Sequence, residues 1–343
     1  MQTIHDLDAA WAEPSSGKRL ELLTRAGVAL HDLIKKGPRV VSVRTFPLTT
    51  LPYPSTYAFA GAARSPAPFV ILTHRAMLVQ YFDGSDLRNL LFNPSDVERA
   101  RETPYFNSLA KRFALVEPMV AKKFPPLHEQ LNTAGVSPSS IDWIAFDHFH
   151  TQDLRRILGS ADGSYPNAKL LAPACEWNDW DNLHPLQRPW FVKDGKAGID
   201  PARVQLTSSD LRLGEGVYLL RTPGHTSGNQ TLFVHTDSGI WGTSENGTAA
   251  DSWSPLDSQV NGVRAHAQSM GLDLLMNANT LEHAAAQMCS MALERAVVDR
   301  YKRAPAFVQM FPSSEVTPHP FAPGLKPTVV FNAIEHGSVV HSK

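Results

Sequence analysis

Cysteine is almost absent from this chain: Cys175 and Cys289 are the two in 343 residues, and they form no Cys-x-x-Cys pair. That scarcity excludes a disulfide framework and a cysteine-built metal knuckle. Both thiols are expected to be small, buried, apolar side chains. Excess charge of either sign is also missing. The formal net charge is −1 and no long basic run occurs, so the electrostatic footprint of a dedicated nucleic-acid binder is lacking and a small-molecule substrate fits better. No segment supplies the roughly 18 continuous apolar residues of a membrane span. The start, Met1 to Asp8, has neither the positive cluster nor the apolar run of a secretory signal. The expectation is a cytoplasmic chain with no nucleic-acid or membrane partner.

What is present is a globular composition, 43% hydrophobic and 19% charged, enough for one elaborated α/β domain. Residues 1–36 read as an N-terminal helical extension, because Leu20, Leu23, Ala26, Leu30 and Leu33 recur at helical intervals. Residues 37–343 form the main domain. From Val40 the pattern changes to β-type runs, Val40–Phe46, Phe69–Thr73 and Ala76–Phe82, the last ending at Asp83-Gly84. Residues 95–132 return to helical periodicity with Ser95 as cap. Strand-like runs then recur at Trp143–Phe146, Lys169–Ala172, Val217–Arg221, Gln230–His235 and Ser238–Gly242, with a helix-like turn at Asp153–Leu158. A long helix is expected over 279–303, opened by Asn279 with Glu282 three residues on and closed by basic residues before Pro305. This helix and the N-terminal one can cover a pocket or form a homodimer contact.

Two segments carry chemistry. The first is Asp147-His148-Phe149-His150-Thr151-Gln152-Asp153, directly after the apolar run Trp143–Phe146. In an extended segment alternate side chains share a side, so His148 and His150 can face one ion while the following turn swings Asp153 inward. Imidazole and carboxylate together suit zinc, and also iron or manganese. A His-x-His pair is weak evidence alone in a chain with 14 histidines. The second segment, Thr222-Pro-Gly-His225-Thr-Ser-Gly228, places His225 on a Pro-Gly turn at the end of a strand.

Together the two segments resemble the metallo-β-lactamase fold superfamily, whose members carry His-x-His-x-Asp-His and later Thr-Pro-Gly-His-Thr-x-Gly. The approach Leu131–Ile144 is similar too, and the resemblance spans roughly residues 40 to 330. It implies an αββα sandwich of two mixed β-sheets flanked by helices, with a metal-activated hydroxide at the sheet edge. The departures are informative. Gln152 and Asp153 stand where the motif has Asp-His, giving His-x-His-x-x-Asp. Glu245 is the nearest carboxylate to the place of a bridging aspartate, and Asp251 lies further off. Pro312-Ser-Ser-Glu315 occupies the place of a late histidine, with His319 a few residues beyond. The ligand set read from the sequence is therefore His148, His150, Asp153, His225 and Glu245, with Asp153 also the catalytic base. It holds one Zn2+ in preference to two, with Fe or Mn as alternatives.

The expected function is hydrolysis of an ester, lactone, amide or thioester of a small organic substrate. An iron-dependent oxidoreductase on the same fold and a non-catalytic, degenerate member are the rival readings. The aromatic cluster Trp177, Trp180, Trp190 and Phe191 reads either as a pocket wall or as core, and Asn246 and Gly247 as residues of the pocket's other side.

Overall fold

The structure is a computed structural model that describes residues 1–112, 120–159 and 163–342. The chain opens on a short strand, β1 (Gln2–Ile4), and the amphipathic stretch after it forms the helix Ser16–Lys36. Ser15 caps this helix by accepting the Lys18 N–H, and Lys35 and Lys36 occupy its last turn before Gly37. Both choices suit the helix dipole and its unpaired terminal groups. The strands β2 (Ser42–Pro54) and β3 (Phe69–Asp83) follow as a long antiparallel ribbon. The two apolar runs expected at 69–73 and 76–82 are thus one continuous strand.

Gly84 turns β3 into β4 (Asp86–Phe92). The remaining strands, in chain order, are β5 (Trp143–Ala145), β6 (Lys169–Pro173), β7 (Val204–Thr207), β8 (Asp210–Gly214), β9 (Val217–Arg221), β10 (Gln230–Thr236), β11 (Gly239–Ser244), β12 (Met310–Pro312), β13 (Ser314–Thr317) and β14 (Glu335–Gly337).

One sheet has the order β1-β8-β9-β10-β11-β12. The other runs β14-β2-β3-β4-β5-β6-β7, with β13 also on β3. Both are mixed: β4 to β7 pair in parallel, as does β12 with β11, and the other pairs are antiparallel. Val79, Tyr81 and Leu90 of one sheet meet Leu219, Leu232 and Val234 of the other between the layers. Outside the first sheet, Leu30 and Ile34 of the N-terminal helix and Leu293 of the late helix pack on Leu220 and Phe233. Outside the second, Leu131, Ile157 and Leu158 cover Leu78, Ile144 and Leu170. The result is the expected αββα sandwich of two mixed sheets. Among the described residues no helix is long and apolar enough to cross a membrane.

Several local expectations change. The late helix spans Ala284–Val297, shorter than 279–303. Asn279 and Glu282 lie in the irregular approach to it, and Arg300 bridges to Val308 beyond it. Ser95 does not cap a helix. Its hydroxyl is bound to His74, and Asp96 takes the capping role by accepting the Glu98 and Arg99 N–H groups, each at 3.2 Å. The helical reading of 95–132 resolves into Pro104–Arg112 and Leu127–Thr133, with the expectation for 113–119 outside the described residues. Cys289 is buried as expected, but Cys175 is exposed, since it sits on the outer face of the short helix Ala174–Asp179.

The two outer helices come close together at Gly27, where an added Cβ would lie 2.8 Å from Ala296 Cβ and 3.1 Å from the Leu293 carbonyl oxygen. Gly27→Val therefore forces the helices apart. Its expected cost is about 1–3 kcal/mol in a denaturant titration, while Gly17→Ala, with open space around it, leaves the midpoint unchanged or raised.

Candidate metal centre

The segment after β5 keeps the alternation of an extended chain. Phe149 is fully buried against Phe146, Trp177 and Trp180, and His148 and His150 face the opposite side. Thr151 then adopts φ +64°, a left-handed conformation that a β-branched residue rarely takes, held by its N–H donating to the Trp190 carbonyl at 2.7 Å. His225 comes from the other sheet, on the turn between β9 and β10. Gly224 is required there, because its φ is +152° and a Cβ would stand 2.2 Å from Gln287 Cα.

The three imidazoles meet. One ring nitrogen from each lies within 4.8 Å of the other two, and all three residues are buried. Their ring centroids are 4.5–4.8 Å apart and the planes stand steeply to one another. Outer partners decide which nitrogen faces inward. His148 Nδ1 lies 2.8 Å from Asp147 Oδ1. Burial pushes the Asp147 carboxyl up, but His148 and the hydrogen bonds from His148 and Ser313 outweigh it and hold the group below its usual range. An ionised Asp147 accepts from Nδ1–H and leaves Nε2 as the free acceptor.

His150 Nε2 lies 2.5 Å from Gln187 Oε1, and the Gln187 amide nitrogen donates to Glu282. That fixes the amide so that Nε2–H of His150 donates to it, and Nδ1 carries the lone pair. His150 Nδ1 is 3.1 Å from His225 Nε2, and His225 Nδ1 is buried with no partner. Burial first, and then the neighbouring His148, depress the pKa of both His150 and His225 well below the usual value, so both rings are neutral. Neutral imidazoles with inward lone pairs are a donor set for zinc, iron or manganese. Tetrahedral zinc with bonds of about 2.0–2.1 Å places its nitrogens about 3.3 Å apart, close to the His150–His225 spacing.

Two buried carboxylates brace the ligand loops. Glu176 Oε1 accepts the Phe149 N–H at 2.7 Å and Oε2 accepts the Thr226 hydroxyl at 2.9 Å, so one side chain ties the His148–His150 segment to the His225 turn. Glu294 accepts from Asn246 at 2.7 Å, Thr231 at 2.8 Å and the Trp253 indole at 2.9 Å. Asn246 in turn receives the His225 backbone N–H through its Oδ1 at 3.3 Å. Desolvation raises Glu176 and Glu294 to about 7.

The structure places other expected residues elsewhere. Asp153 is not turned inward. The left-handed turn at Thr151 delivers Gln152 to the cavity wall, and the buried Asp153 carboxylate is held by the Arg155 backbone N–H and guanidinium, with Arg99 3.7 Å away. Asp153 therefore does not join the imidazole cluster that it was expected to complete. Glu245 lines the cavity but stays outside the imidazole cluster, with Oε2 accepting the Ser314 N–H at 3.0 Å. Burial, and then Asp147, push its carboxyl well above the usual range. Asp251 is buried among Ser258 and Thr328, and His319 stacks on Phe321 in a loop. Of the aromatic cluster, Trp190 both belongs to the core and walls the cavity, whereas Trp180 and Phe191 lie in the core and the half-buried Trp177 packs against it. Asn246 lies behind His225 and not on the wall.

The cavity that ends at these imidazoles has a volume of about 650 Å³, with walls that include Leu51, Phe69, Ile71, Phe106, Leu109 and Trp190. His74, Tyr53, Asn277 and Ser314 also line it; sequence reading placed Ser314 only at the position of a late histidine and missed the others together with Gln187 and Glu176. None sits in a motif. Asp147, adjacent to His148, was the one partner that proximity in sequence signalled.

No protein-family model matches the chain, and a search of curated proteins finds no match. Solved structures do match in shape. AidC, a dizinc quorum-quenching lactonase in complex with the product N-hexanoyl-L-homoserine, aligns with a TM-score of 0.51 at 12% identity, over 84% of this chain and 94% of that one. AbOPH, a hydrolase of the β-lactamase superfamily, aligns at 0.47 and 13% identity over 90% and 98% of the two chains. A quorum-quenching N-acyl homoserine lactone lactonase aligns at 0.45 and 17% over 63% and 78%. At these identities the likeness is one of architecture. The chain is built on the metallo-β-lactamase fold.

Two substitutions check the site's internal logic. Glu176→Ala releases both ligand loops and is expected to weaken divalent-metal affinity about 10–100-fold by competition with a chelator, with Glu176→Gln, which still bridges the loops, closer to wild type. Asp153→Asn is expected to leave metal affinity unchanged while lowering stability by about 1–3 kcal/mol through its arginine partners; a metal affinity that collapses restores Asp153 as a ligand.

Proposed function

We propose that this chain is a metal-dependent hydrolase that holds one divalent ion between His148, His150 and His225 and cleaves an ester, lactone, thioester or amide of a small, uncharged organic molecule. The observation that carries the reading is the set of three imidazoles, with inward nitrogens selected by Asp147 and Gln187, at the polar end of an apolar cavity. When bound, the ion supplies Lewis acidity, lowering the pKa of water toward about 7 and polarising a carbonyl oxygen. Zinc is the first assignment for three imidazoles, and iron and manganese share the donor set.

The chain's own groups do the rest. Asp147 and Gln187 keep the rings in one tautomer and orientation. Leu51, Phe69 and Ile71 take the substrate's apolar part, where each Å² removed from water contributes about 25 cal/mol, and they exclude bulk water from the reacting end. Tyr53 donates to Asn277 Oδ1 at 2.6 Å, which turns the Asn277 amide nitrogen toward the Glu245 backbone carbonyl. Neither group presents a charge to the substrate.

A single ion fits better than two. Gln152 replaces an anionic ligand, Asp153 is occupied by arginines, Glu245 faces Ser314, and serines stand where a late histidine would. Metal content measured per chain after loading with excess zinc is expected to be one, and His225→Ala is expected to lose both the ion and at least about 10² of the hydrolytic rate toward p-nitrophenyl hexanoate. Two ions per chain end the mononuclear assignment; undiminished hydrolysis by the His225→Ala protein ends the hydrolase reading.

A further inference from the structure

The cavity wall beside His148 carries a fourth imidazole that belongs to neither sequence motif. His74 lies on β3, where it pairs with Ser314 of β13, and both of its ring nitrogens are engaged by hydroxyls. Nδ1 is 3.0 Å from Ser314 Oγ and Nε2 is 2.8 Å from Ser95 Oγ. His74, Ser95 and Ser314 all line the same cavity as the three clustered imidazoles. Burial, with Asp147 and His148 as opposing neighbours, lowers the His74 pKa to about 4, so the ring is neutral near pH 7.

A neutral imidazole has one N–H and one lone pair. With a hydroxyl on each nitrogen, one serine can accept from His74, which frees its own O–H to donate into the cavity, while the other donates to His74, which leaves its lone pairs open to the cavity. Moving one proton along the chain exchanges the two roles. We infer that Ser95, His74 and Ser314 form a proton relay that carries the proton lost by the attacking water to the oxygen of the leaving group.

The relay rests on the hydrolase reading and supplies what a mononuclear site otherwise lacks, a partner for the leaving oxygen. The balance closes. The water oxygen bonds to the carbonyl carbon and loses one proton to the serine that accepts from the cavity. That serine's hydroxyl proton passes to the imidazole, the proton on the opposite ring nitrogen passes to the second serine, and that serine's hydroxyl proton passes to the leaving oxygen as its bond to carbon breaks. No charge is left on His74 or on either serine. Ser95 and Ser314 are the groups that touch the reactants, and His74 acts through them.

A pair of esters with one acyl group tests this. The p-nitrophenolate leaving group departs without a proton, whereas ethoxide needs one. With the zinc-loaded full chain, His74→Phe is expected to lower kcat/KM about 10²–10⁴-fold on ethyl hexanoate and less than about 5-fold on p-nitrophenyl hexanoate, with zinc content unchanged. Ser95→Ala and Ser314→Ala, which leave the ring in place, are expected to show the same leaving-group dependence and little further loss when combined with His74→Phe. Equal losses on both esters in all three variants, or no loss on either, overturn the relay and assign His74 to packing alone. Failure of the zinc-loaded wild type to hydrolyse either ester overturns the hydrolase reading itself, and the relay with it.

Discussion

Three buried imidazoles turned nitrogen to nitrogen inside a protein are the constraint that organises the rest of this molecule. A buried polar atom without a partner costs about 1–3 kcal/mol, and each ring has two such atoms. The sequence pairs the outer nitrogens of His148 and His150 with Asp147 and Gln187, which leaves the inner ones facing each other and His225 Nδ1 unpaired. Without a cation the cluster is therefore a local energetic debit. A cation that fits it stabilises the fold by mass action, so affinity and stability are linked quantities.

Holding that arrangement requires the two sheets to be fixed relative to one another, because His148 and His150 follow β5 of one sheet while His225 precedes β10 of the other. The apolar interior between the layers sets the distance. Direction comes from buried carboxylates. Glu176 spans the two ligand loops, and Glu294, through Asn246, fixes the backbone of the His225 turn. Both sit where desolvation raises their pKa to about 7, an environment tolerable only because each oxygen has donors arranged around it.

The clustering of three histidines and the sandwich were legible in the sequence because both depend on local signals: period-two apolar runs, a His-x-His after a buried strand, and a Pro-Gly-His turn. Asp153 was expected to turn inward and does not, for a physical reason. Its fate depends on the left-handed Thr151 and on Arg155 two residues later, and neither a positive φ at threonine nor a short-range arginine clamp announces itself in composition. The helix expected over 279–303 failed similarly. Asn279 and Glu282 look like a cap, yet Glu282 is drawn to Gln187 and Asn279 to the cavity, so the helix starts at Ala284. Glu176, Gln187 and His74 were invisible because each reaches the site from a separate stretch of chain, through tertiary pairing that no local pattern encodes.

Charge around the imidazole cluster bears on the proposed one-ion stoichiometry independently of ligand counting. The clustered His150 and His225 rings are neutral, His74 is neutral, and burial pushes the Glu245 carboxyl well above its usual range. Asp147 is the carboxylate held below its usual pKa in direct contact with the cluster. One dication beside one carboxylate leaves roughly one positive charge in a poorly screened setting, which favours the negative charge that develops on a carbonyl oxygen under attack. A second dication would leave about three, with Gln152 and two serines in place of the anions needed to offset it, and Coulomb repulsion at low effective dielectric amounts to several kcal/mol at contact distances. On the proposed one-ion reading, the same balance that makes one ion electrophilic disfavours a second, and Gln152, Ser313 and Ser314 would together shift leaving-group stabilisation from a second cation to hydroxyl groups.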